Sequence, residues 1–316
     1  MSQQPADRPS LGIDIGGTKT HGILLDAGGR ILADRVLPTR HGVSGVVASA
    51  VTVADECLGA AGLARTELGC VGVGIPGQVD HRTGVVRTAV NLGIDRLDLG
   101  AELAAELGVP VSVDNDVKAA ALGAAAHLGT GDVTYLNFGT GVAAASVVAG
   151  RLVRGQGNLA GEIGHIPVSP DGERCVCGQR GCLEVLVGGG RIAERLAPLA
   201  PLVTLPTLVQ AAIAGDPDAA AEAAAISAGI ATAVQLVVLT QGSARVVLGG
   251  GVVRTAPGLV NLVRRELADR AAQSEFLASL DLPGRVLELP AGYPVAALGA
   301  ALVARADRQV EQPAPL

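Results

Sequence analysis

Aromatic side chains are nearly absent from this 316-residue sequence, which has two phenylalanines, two tyrosines and no tryptophan. A sugar or a nucleotide base would therefore be held chiefly by hydrogen bonds, because stacking platforms are scarce. Runs of lysine or arginine are also missing, and the net charge is −6. A chain without a basic patch lacks the electrostatic footprint that binds a phosphate polymer, so we expect no nucleic acid partner.

An apolar segment of the kind that directs secretion is missing from the start of the sequence. Residues 1–10 are polar and contain proline, whereas a secretory signal needs a continuous apolar stretch. We therefore expect a cytoplasmic protein with reduced cysteines rather than disulfides. The charge-free stretch 223–239 contains Ser227, Thr232 and Gln235 and is rich in alanine, which favours a buried helix over a membrane span. No membrane partner is expected.

The sequence does contain enough material for two domains. Its length and its 49% hydrophobic content predict about two cores, and two domains imply a cleft. One pattern also occurs twice: an apolar strand enters a turn of glycine and threonine, and a second apolar strand leaves it, around residues 16–19 and again around residues 139–141. This repetition predicts a duplicated α/β unit with two glycine-turned hairpins whose turns grip phosphates from both sides of the cleft.

Two common nucleotide motifs are disfavoured. Residues 70–77 spell the dinucleotide fingerprint, but Pro76 and Gly77 lead into a polar turn at residues 78–84 rather than into the helix that the fingerprint requires. A P-loop is also disfavoured, because no Gly-Lys pair follows the glycines.

One histidine and three cysteines fall within eighteen residues: His165, Cys175, Cys177 and Cys182. Four such ligands from one folded-back loop are typical of a structural zinc site with no vacant position. The alternatives are a disulfide or unrelated core thiols, and the latter describes Cys57 and Cys70, which stand apart in apolar surroundings. Two carboxylates, Glu162 and Glu184, bracket the cluster, so whatever holds the sulfurs also holds these acids.

Two further segments carry polar or glycine-rich junctions. The predicted strand at residues 111–113 runs into Asn115 and Asp116, and an alanine-rich helix from residue 117 to about residue 127 follows. The predicted strand at residues 245–248 ends at three glycines, 249–251, which would let a flat ligand approach the backbone.

Taken together, these segments resemble the ROK family (repressors, open reading frames and sugar kinases), within the larger group of hexokinase- and actin-like ATPases. The matching motifs lie in the family's order over almost the whole chain, at residues 14–19, 74–77, 115–116, 139–141, 161–165, 175–184 and 248–251. The resemblance implies an α/β fold of two duplicated ribonuclease-H-like domains with an interdomain cleft and a zinc-binding loop. We expect residues 1–116 plus 297–316 to form a small domain and residues 117–296 a large one.

The resemblance also implies roles for individual residues. Asp116 would be the catalytic base that takes the proton from a sugar hydroxyl, normally the one on carbon 6. The other substrate contacts would come from Asn115, Glu162, His165, Glu184 and Gly77. ATP, with Mg²⁺, would be bound by Asp14, Gly16, Gly17, Thr18, Lys19, Gly139, Thr140, Gly141, Gly250 and Gly251. Structural Zn²⁺ would be held by His165, Cys175, Cys177 and Cys182, with one imidazole nitrogen on the metal and the other facing the sugar.

Each role has a plainer alternative. Asp116 sits where an N-cap aspartate would, Asp14 where turn chemistry places many aspartates, and most glutamates are simply exposed acids. Two segments also depart from the family: residues 143–145 are alanines where glycines are usual, which predicts less room beside the second turn. Residues 90–94 lack the usual proline and tryptophan, which leaves the sugar preference open.

The sequence therefore predicts an ATP-dependent hexose kinase, glucokinase-like, with glucose as the first expected substrate. The alternatives are N-acetylglucosamine, N-acetylmannosamine, kanosamine or fructose as the sugar, and polyphosphate as the donor. A sugar-responsive transcriptional regulator is the alternative from another class, although thirteen residues before Asp14 are too few for a helix-turn-helix domain. A catalytically silent sugar-binding protein is a third. By resemblance alone we expect a homodimer or tetramer.

Overall fold

The computed structural model describes residues 8–198 and 203–311 of the chain. These residues divide into two compact units. The first contains residues 8–130, 150–159 and 294–311, and the second contains residues 131–149, 160–198 and 203–293. The outer ends of the predicted small domain, residues 1–7 and 312–316, lie outside the described residues.

The described residues begin with three consecutive strands, and most of the helices follow in the second half of the chain. The strands are β1 (Ser10–Ile15), β2 (Lys19–Leu25), β3 (Ile31–Pro38), β4 (Cys70–Ile75), β5 (Gln78–Asp80), β6 (Val85–Ala89), β7 (Ile94–Leu97), β8 (Val111–Asn115), β9 (Val133–Phe138), β10 (Val142–Val148), β11 (Arg151–Leu152), β12 (Val246–Gly249) and β13 (Val286–Leu287). The α-helices are α1 (Val43–Ala61), α2 (Leu99–Leu107), α3 (Asp116–Leu128), α4 (Leu183–Val187), α5 (Gly189–Leu196), α6 (Leu205–Ile213), α7 (Pro217–Gln241), α8 (Gly251–Thr255), α9 (Leu259–Ala272), α10 (Glu275–Ala278), α11 (Leu282–Arg285) and α12 (Val295–Glu311). Short 3₁₀ turns cover Arg65–Glu67, Val90–Leu92, Gln156–Asn158 and Ile163–His165.

Two mixed five-stranded sheets share one strand order. The first is ordered β3-β2-β1-β4-β8 and the second β11-β10-β9-β12-β13, while β5-β6-β7 form a small antiparallel sheet. In the first sheet β1 and β2 are antiparallel, and β4 and β8 continue parallel to β1. In the second, β9 and β10 are antiparallel, and β12 and β13 continue parallel to β9. Both predicted hairpins are therefore confirmed, and the α/β class with mixed sheets is confirmed with them.

Each unit has its own hydrophobic core. In the second unit, α7 directs Ile226, Ile230, Val234 and Val237 into the core, and all four are fully buried. Their spacing of three and four residues places them on one face of the helix. Helices α1 and α7 are long and apolar enough to cross a bilayer by length and composition, but both line a core in this structure. The prediction of a buried helix over residues 223–239 is confirmed.

Helix α12 packs so closely against the first sheet that the two backbones meet at glycines, with no side chain between them. A Cβ atom at Gly12 would lie 1.8 Å from the carbonyl oxygen of Ala297, and one at Gly72 would lie 1.7 Å from that of Ala300. A Cβ atom at Gly299 would in turn lie 1.7 Å from the carbonyl oxygen of Ala119 in α3. Helix α3 therefore belongs with α12 in the first unit. The predicted boundary at residue 116 differs from the observed division, which falls after residue 130.

We predict that Gly72→Ala strongly destabilises the first unit, because its methyl group would overlap the Ala300 carbonyl and α12 would have to move. Overpacking against rigid backbone should lower the free energy of unfolding by about 3 kcal/mol or more. Urea unfolding followed by circular dichroism measures the change.

The matched control is Gly59→Ala in α1, where nothing lies within 4 Å of the added methyl group. This change should raise the free energy of unfolding by about 0.5–1 kcal/mol, since it removes a helical glycine. Equal unfolding midpoints for Gly72→Ala and the unmodified protein would contradict the close packing of α12.

Candidate active site

The first glycine turn lies between β1 and β2 and contacts two other loops. The N–H of Gly16 donates to the carbonyl oxygen of Lys19 at 2.9 Å, which closes the turn. Nε2 of His41 lies 2.7 Å from the carbonyl oxygen of Gly17. A Cβ atom at Gly17 would lie 3.4 Å from Nδ2 of Asn91. Asp14 is half-buried at the end of β1, while Thr18 and Lys19 are exposed. The structure thus brings together the five residues predicted for this turn. The contacts with His41 and Asn91 were not predicted.

The end of β8 and the start of α3 place Asn115 and Asp116. Asn115 is the N-cap residue: its Oδ1 accepts the N–H groups of Val117 at 3.0 Å and Lys118 at 3.4 Å. Asp116 is the first helical residue, and its Oδ1 also accepts the Val117 N–H. The alternative that Asp116 is the N-cap is therefore wrong. Asn115 also reaches the carbonyl oxygen of Gly77 with its Nδ2 at 3.5 Å, so these three predicted substrate residues lie together.

A buried ion pair holds the backbone just before this junction. Asp114 is fully buried, and its Oδ2 accepts hydrogen bonds from Nε and Nη2 of Arg154 at 2.9 and 2.8 Å. Its Oδ1 accepts the N–H of Asn115 at 2.8 Å and faces Nδ2 of Asn158 at 3.3 Å. Lys118, which is only 3% exposed, donates from Nζ to the carbonyl oxygen of Asn158. A buried carboxylate needs such a cation, because desolvation would otherwise outweigh its charge interactions.

In the second unit, two glycines let the turn that carries Glu162 and His165 lie on β10. A Cβ atom at Gly161 would be 1.9 Å from the carbonyl oxygen of Ala144, and one at Gly164 would be 2.2 Å from that of Val142. Gly161 also has φ +101°, which favours glycine. The turn leaves Glu162 exposed and His165 half-buried.

Glu184 connects the cysteine loop to the second glycine turn. It lies in α4, two residues after Cys182, and its Oε2 accepts the N–H of Val142 at 3.0 Å. A Cβ atom at Gly141 would lie only 2.4 Å from this oxygen. The carboxylate is therefore positioned by the backbone at residues 141–142, a contact that sequence reasoning did not anticipate.

The histidine and the three cysteines form a cluster whose ligand atoms all lie within 4.8 Å of one another. Sγ of Cys175 is 3.7 Å from Nδ1 of His165, and Sγ of Cys177 is 3.6 Å from Sγ of Cys182. A zinc ion bound to sulfur at about 2.3 Å in a tetrahedron separates its ligands by about 3.8 Å, so the four atoms fit such an ion. All five cysteines are described and none forms a disulfide. Cys57 and Cys70 are buried elsewhere, as predicted.

The thiols of the cluster differ in acidity. Hydrogen bonds from Gln179, first from its backbone N–H, lower the pKa of Cys177 to about 6. Burial raises the pKa of Cys182 to about 12. A bound divalent cation would stabilise the thiolate form of all three cysteines.

The second unit also contains a cavity of about 770 Å³ next to the second glycine turn. Its described lining consists of Gly139, Thr140, Gly189, Gly190, Ile192, Ala193, Leu196, Ala197, Val203, Thr204, Leu205, Gly251, Val252 and Thr255. Backbone hydrogen bonds from Gly189 to Gly139 and from Gly190 to Thr140 join the start of α5 to the turn. This volume is typical of a small-molecule site.

The cavity brings together three of the five glycines and threonines predicted for this part of the ATP site. Gly139, Thr140 and Gly251 line it, whereas Gly141 and Gly250 do not. Gly250 instead lets the chain pass close to Phe138, whose carbonyl oxygen would lie 2.3 Å from a Cβ atom there. The alanines at 143–145 belong to β10 and do not line the cavity. Sequence analysis also missed the three glycines at residues 188–190. They mark the start of α5, where Gly189 and Gly190 line the cavity.

Comparison with known proteins agrees with this arrangement. The model of the ROK family matches residues 10–307. A glucokinase from Halalkalibacterium halodurans is 34% identical over 195 residues, which cover 60% of this chain and 59% of that protein. A putative xylose repressor from Caldicellulosiruptor sp. is 32% identical over 179 residues, which cover 55% of this chain and 45% of that protein. The matched part is thus less than two thirds of the length of either relative.

A solved structure matches over a greater length. It is a ROK family glucokinase from Streptomyces griseus in complex with glucose and AMPPNP, with 28% identity and a TM-score of 0.76. The match covers 94% of this chain and 99% of that chain.

We predict that Arg154→Met lowers the free energy of unfolding by about 3–5 kcal/mol, because Asp114 becomes a buried carboxylate without its cation. The double variant Arg154→Met with Asp114→Asn should recover most of this loss, since it removes the uncompensated charge. Urea unfolding measures both.

Arg82→Met provides the control, because Arg82 is an exposed arginine of the same unit and its loss should change stability by no more than about 0.5 kcal/mol. If the double variant is as unstable as Arg154→Met alone, then Arg154 does not stabilise the protein by neutralising the charge of Asp114.

Proposed function

Because this chain belongs to the ROK family, we propose that it transfers the terminal phosphoryl group of ATP to a hexose, with glucose as the leading substrate and the hydroxyl on carbon 6 as the acceptor. N-acetylglucosamine, N-acetylmannosamine, kanosamine and fructose are the alternative acceptors. We further propose that the two five-stranded sheets are copies of one ribonuclease-H-like unit, which their shared strand order supports.

The observation that carries the proposal is that Asn115, and not Asp116, caps the N-terminus of α3. Asn115 accepts hydrogen bonds from free N–H groups at the start of the helix. The neighbouring Asp116 follows directly after the C-terminal end of the parallel strand β8. Phosphoryl transfer demands mainly positioning and charge neutralisation, and one base that orients the attacking hydroxyl. Asp116 takes the proton from that hydroxyl, and Asn115 and Gly77 hold the sugar beside it.

The second unit supplies groups for both substrates. Glu162, His165 and Glu184 accept from or donate to sugar hydroxyls. Gly139, Thr140 and Gly251 line the cavity that takes the nucleotide. In the first unit the turn at Asp14, Gly16, Gly17, Thr18 and Lys19 contributes backbone N–H groups and a lysine for phosphate. Magnesium, when bound with ATP, neutralises charge on the phosphates.

The test is Asp116→Asn, assayed with the hexose that a panel of hexoses and hexosamines identifies as the substrate. Asparagine cannot accept the proton, so kcat should fall by about a hundredfold or more. The melting temperature should stay close to that of the unmodified protein, because Asn115 still caps α3. Asp269→Asn, an exposed aspartate on α9, is the matched control and should keep full turnover.

Near-normal turnover in Asp116→Asn would remove Asp116 as the base. Failure of the unmodified protein to consume ATP with every sugar of the panel, in the presence of magnesium and zinc, would refute the proposed function as a whole.

We also propose that the cluster of His165, Cys175, Cys177 and Cys182 binds a structural Zn²⁺. Nδ1 of His165 faces Cys175, which leaves Nε2 to donate to a sugar hydroxyl. The same loop holds Glu184 two residues beyond Cys182. The ion would therefore keep two sugar-binding side chains in place without taking part in the reaction.

Elemental analysis should find about one zinc per chain in the unmodified protein, and Cys182→Ser should lose it because a three-ligand site binds more weakly. Removal of the zinc by a chelator should weaken sugar binding by about tenfold or more, since small displacements of binding groups are costly. Cys57→Ala, which changes a buried thiol outside the cluster, should keep both zinc and sugar affinity. Unchanged sugar affinity after complete zinc removal would contradict this coupling.

A further inference from the structure

Both glycine turns contain a glycine followed by a threonine, and in each turn the carbonyl oxygens of this pair accept hydrogen bonds from outside the turn. In the second turn the N–H of Gly189 donates to the carbonyl oxygen of Gly139 at 2.8 Å, and the N–H of Gly190 donates to that of Thr140 at 3.1 Å. The two donors are the first residues of α5. The peptide groups of this turn are therefore held by backbone N–H groups.

In the first turn a side chain takes the place of one such backbone donor. The N–H of Thr39 donates to the carbonyl oxygen of Thr18 at 3.1 Å, and Nε2 of His41 lies 2.7 Å from the carbonyl oxygen of Gly17. Because a carbonyl oxygen can only accept, Nε2 of His41 carries the proton and donates it. The imidazole thus holds the Gly17 carbonyl in the way that a backbone N–H holds Gly139 in the second turn.

Hydrogen bonds on both sides of His41 fix the segment that carries it. The N–H of Arg40 donates to Oγ of Ser49 at 2.9 Å, and the N–H of Gly42 donates to the carbonyl oxygen of Leu92 at 2.8 Å. These bonds join the segment to α1 and to the short turn that follows β6. The exposed ring of His41 therefore extends from an anchored backbone, which lowers the conformational entropy lost when it bonds to the turn.

The hydrogen bond from His41 fixes the direction of one peptide N–H. In a planar trans peptide, the carbonyl oxygen of Gly17 and the N–H of Thr18 point in opposite directions. Glycine tolerates a wide range of backbone angles, so without this bond the peptide could rotate and exchange its N–H for its oxygen on the face opposite His41. Successive backbone N–H groups in a turn bind anions, whereas a carbonyl oxygen repels them.

We infer that His41 is a positioning residue for the nucleotide: by holding the Gly17 carbonyl, its imidazole keeps the Thr18 N–H directed at a phosphate of ATP. The inference rests on the proposed kinase function, in which this turn contacts the phosphates. Of the four donors to the carbonyl oxygens described above, His41 provides the one that belongs to a side chain. A substitution can therefore remove it and leave the backbone unchanged.

The test compares His41→Leu, which removes the donor, with His41→Gln, which carries an amide N–H at a similar distance from the backbone. Loss of one hydrogen bond should raise Kd for AMPPNP with Mg²⁺, measured by calorimetry, and KM for ATP by about two- to tenfold in His41→Leu. In the same variant kcat and KM for the sugar should stay within about twofold, because only nucleotide binding is affected. His41→Gln should keep both nucleotide constants within about twofold of the unmodified protein.

The matched control is His127→Leu, at an exposed histidine in the last turn of α3, which should change neither nucleotide constant. General damage to the fold would lower the melting temperature and raise the KM values for ATP and sugar together. An equal rise of both KM values in His41→Leu would therefore overturn the positioning role.

Two further results would also overturn it. One is an unchanged Kd for AMPPNP in His41→Leu. The other is an equal weakening of AMPPNP binding in His41→Leu and His41→Gln, since the hydrogen bond would then not be the cause.

The binding measurement separates this inference from the proposed function. If His41→Leu weakens AMPPNP binding but the unmodified protein consumes ATP with no sugar of the panel, the proposed function fails and the positioning role stands. If ATP is consumed with a sugar and His41→Leu binds AMPPNP normally, the proposed function stands and the positioning role fails. Failure of the unmodified protein to bind AMPPNP at all would refute the positioning role.

Discussion

The proposed chemistry depends on one pair of hydrogen bonds, in which Oδ1 of Asn115 accepts the first free N–H groups of α3. Since the asparagine satisfies this helix end, the aspartate that follows stands at the first helical position and is not required as the cap. The residue before the asparagine, Asp114, is buried against Arg154 and fixes the backbone from the other side. Three consecutive polar residues therefore have three separate functions: anchor, cap and proposed base.

The second unit positions its polar groups by a different route, through a loop held at both ends. Its glycines let the turn bearing Glu162 and His165 lie directly on β10. At the other end the cysteine cluster and the hydrogen bond from Val142 to Glu184 hold the start of α4. The described lining of the adjoining cavity consists of aliphatic side chains, glycines and three threonines.

Much of this could be predicted because the signals are local. The hairpin turns, the strand before Asn115 and the histidine and cysteine cluster each occupy a short continuous segment, and the structure places them as expected. The misses were non-local. Arg154 lies 40 residues from Asp114, and the cavity combines α5, α6 and α8, whose alanine, glycine and leucine residues are equally suited to a core. The packing of α3 on α12 likewise joins segments that are far apart in sequence.

Both hairpins and the cluster of one histidine and three cysteines can be read from residue order alone, because each depends on spacing within a few tens of residues. Family membership can be read from the order of such short motifs along the chain. Folding in three dimensions alone determined that Asn115 rather than Asp116 caps α3, that Arg154 neutralises Asp114, and that glycines 12 and 72 admit α12. The reason is physical: hydrogen bonds, ion pairs and close backbone contacts form only between groups brought within a few ångströms of each other, and sequence spacing does not say which distant groups those are.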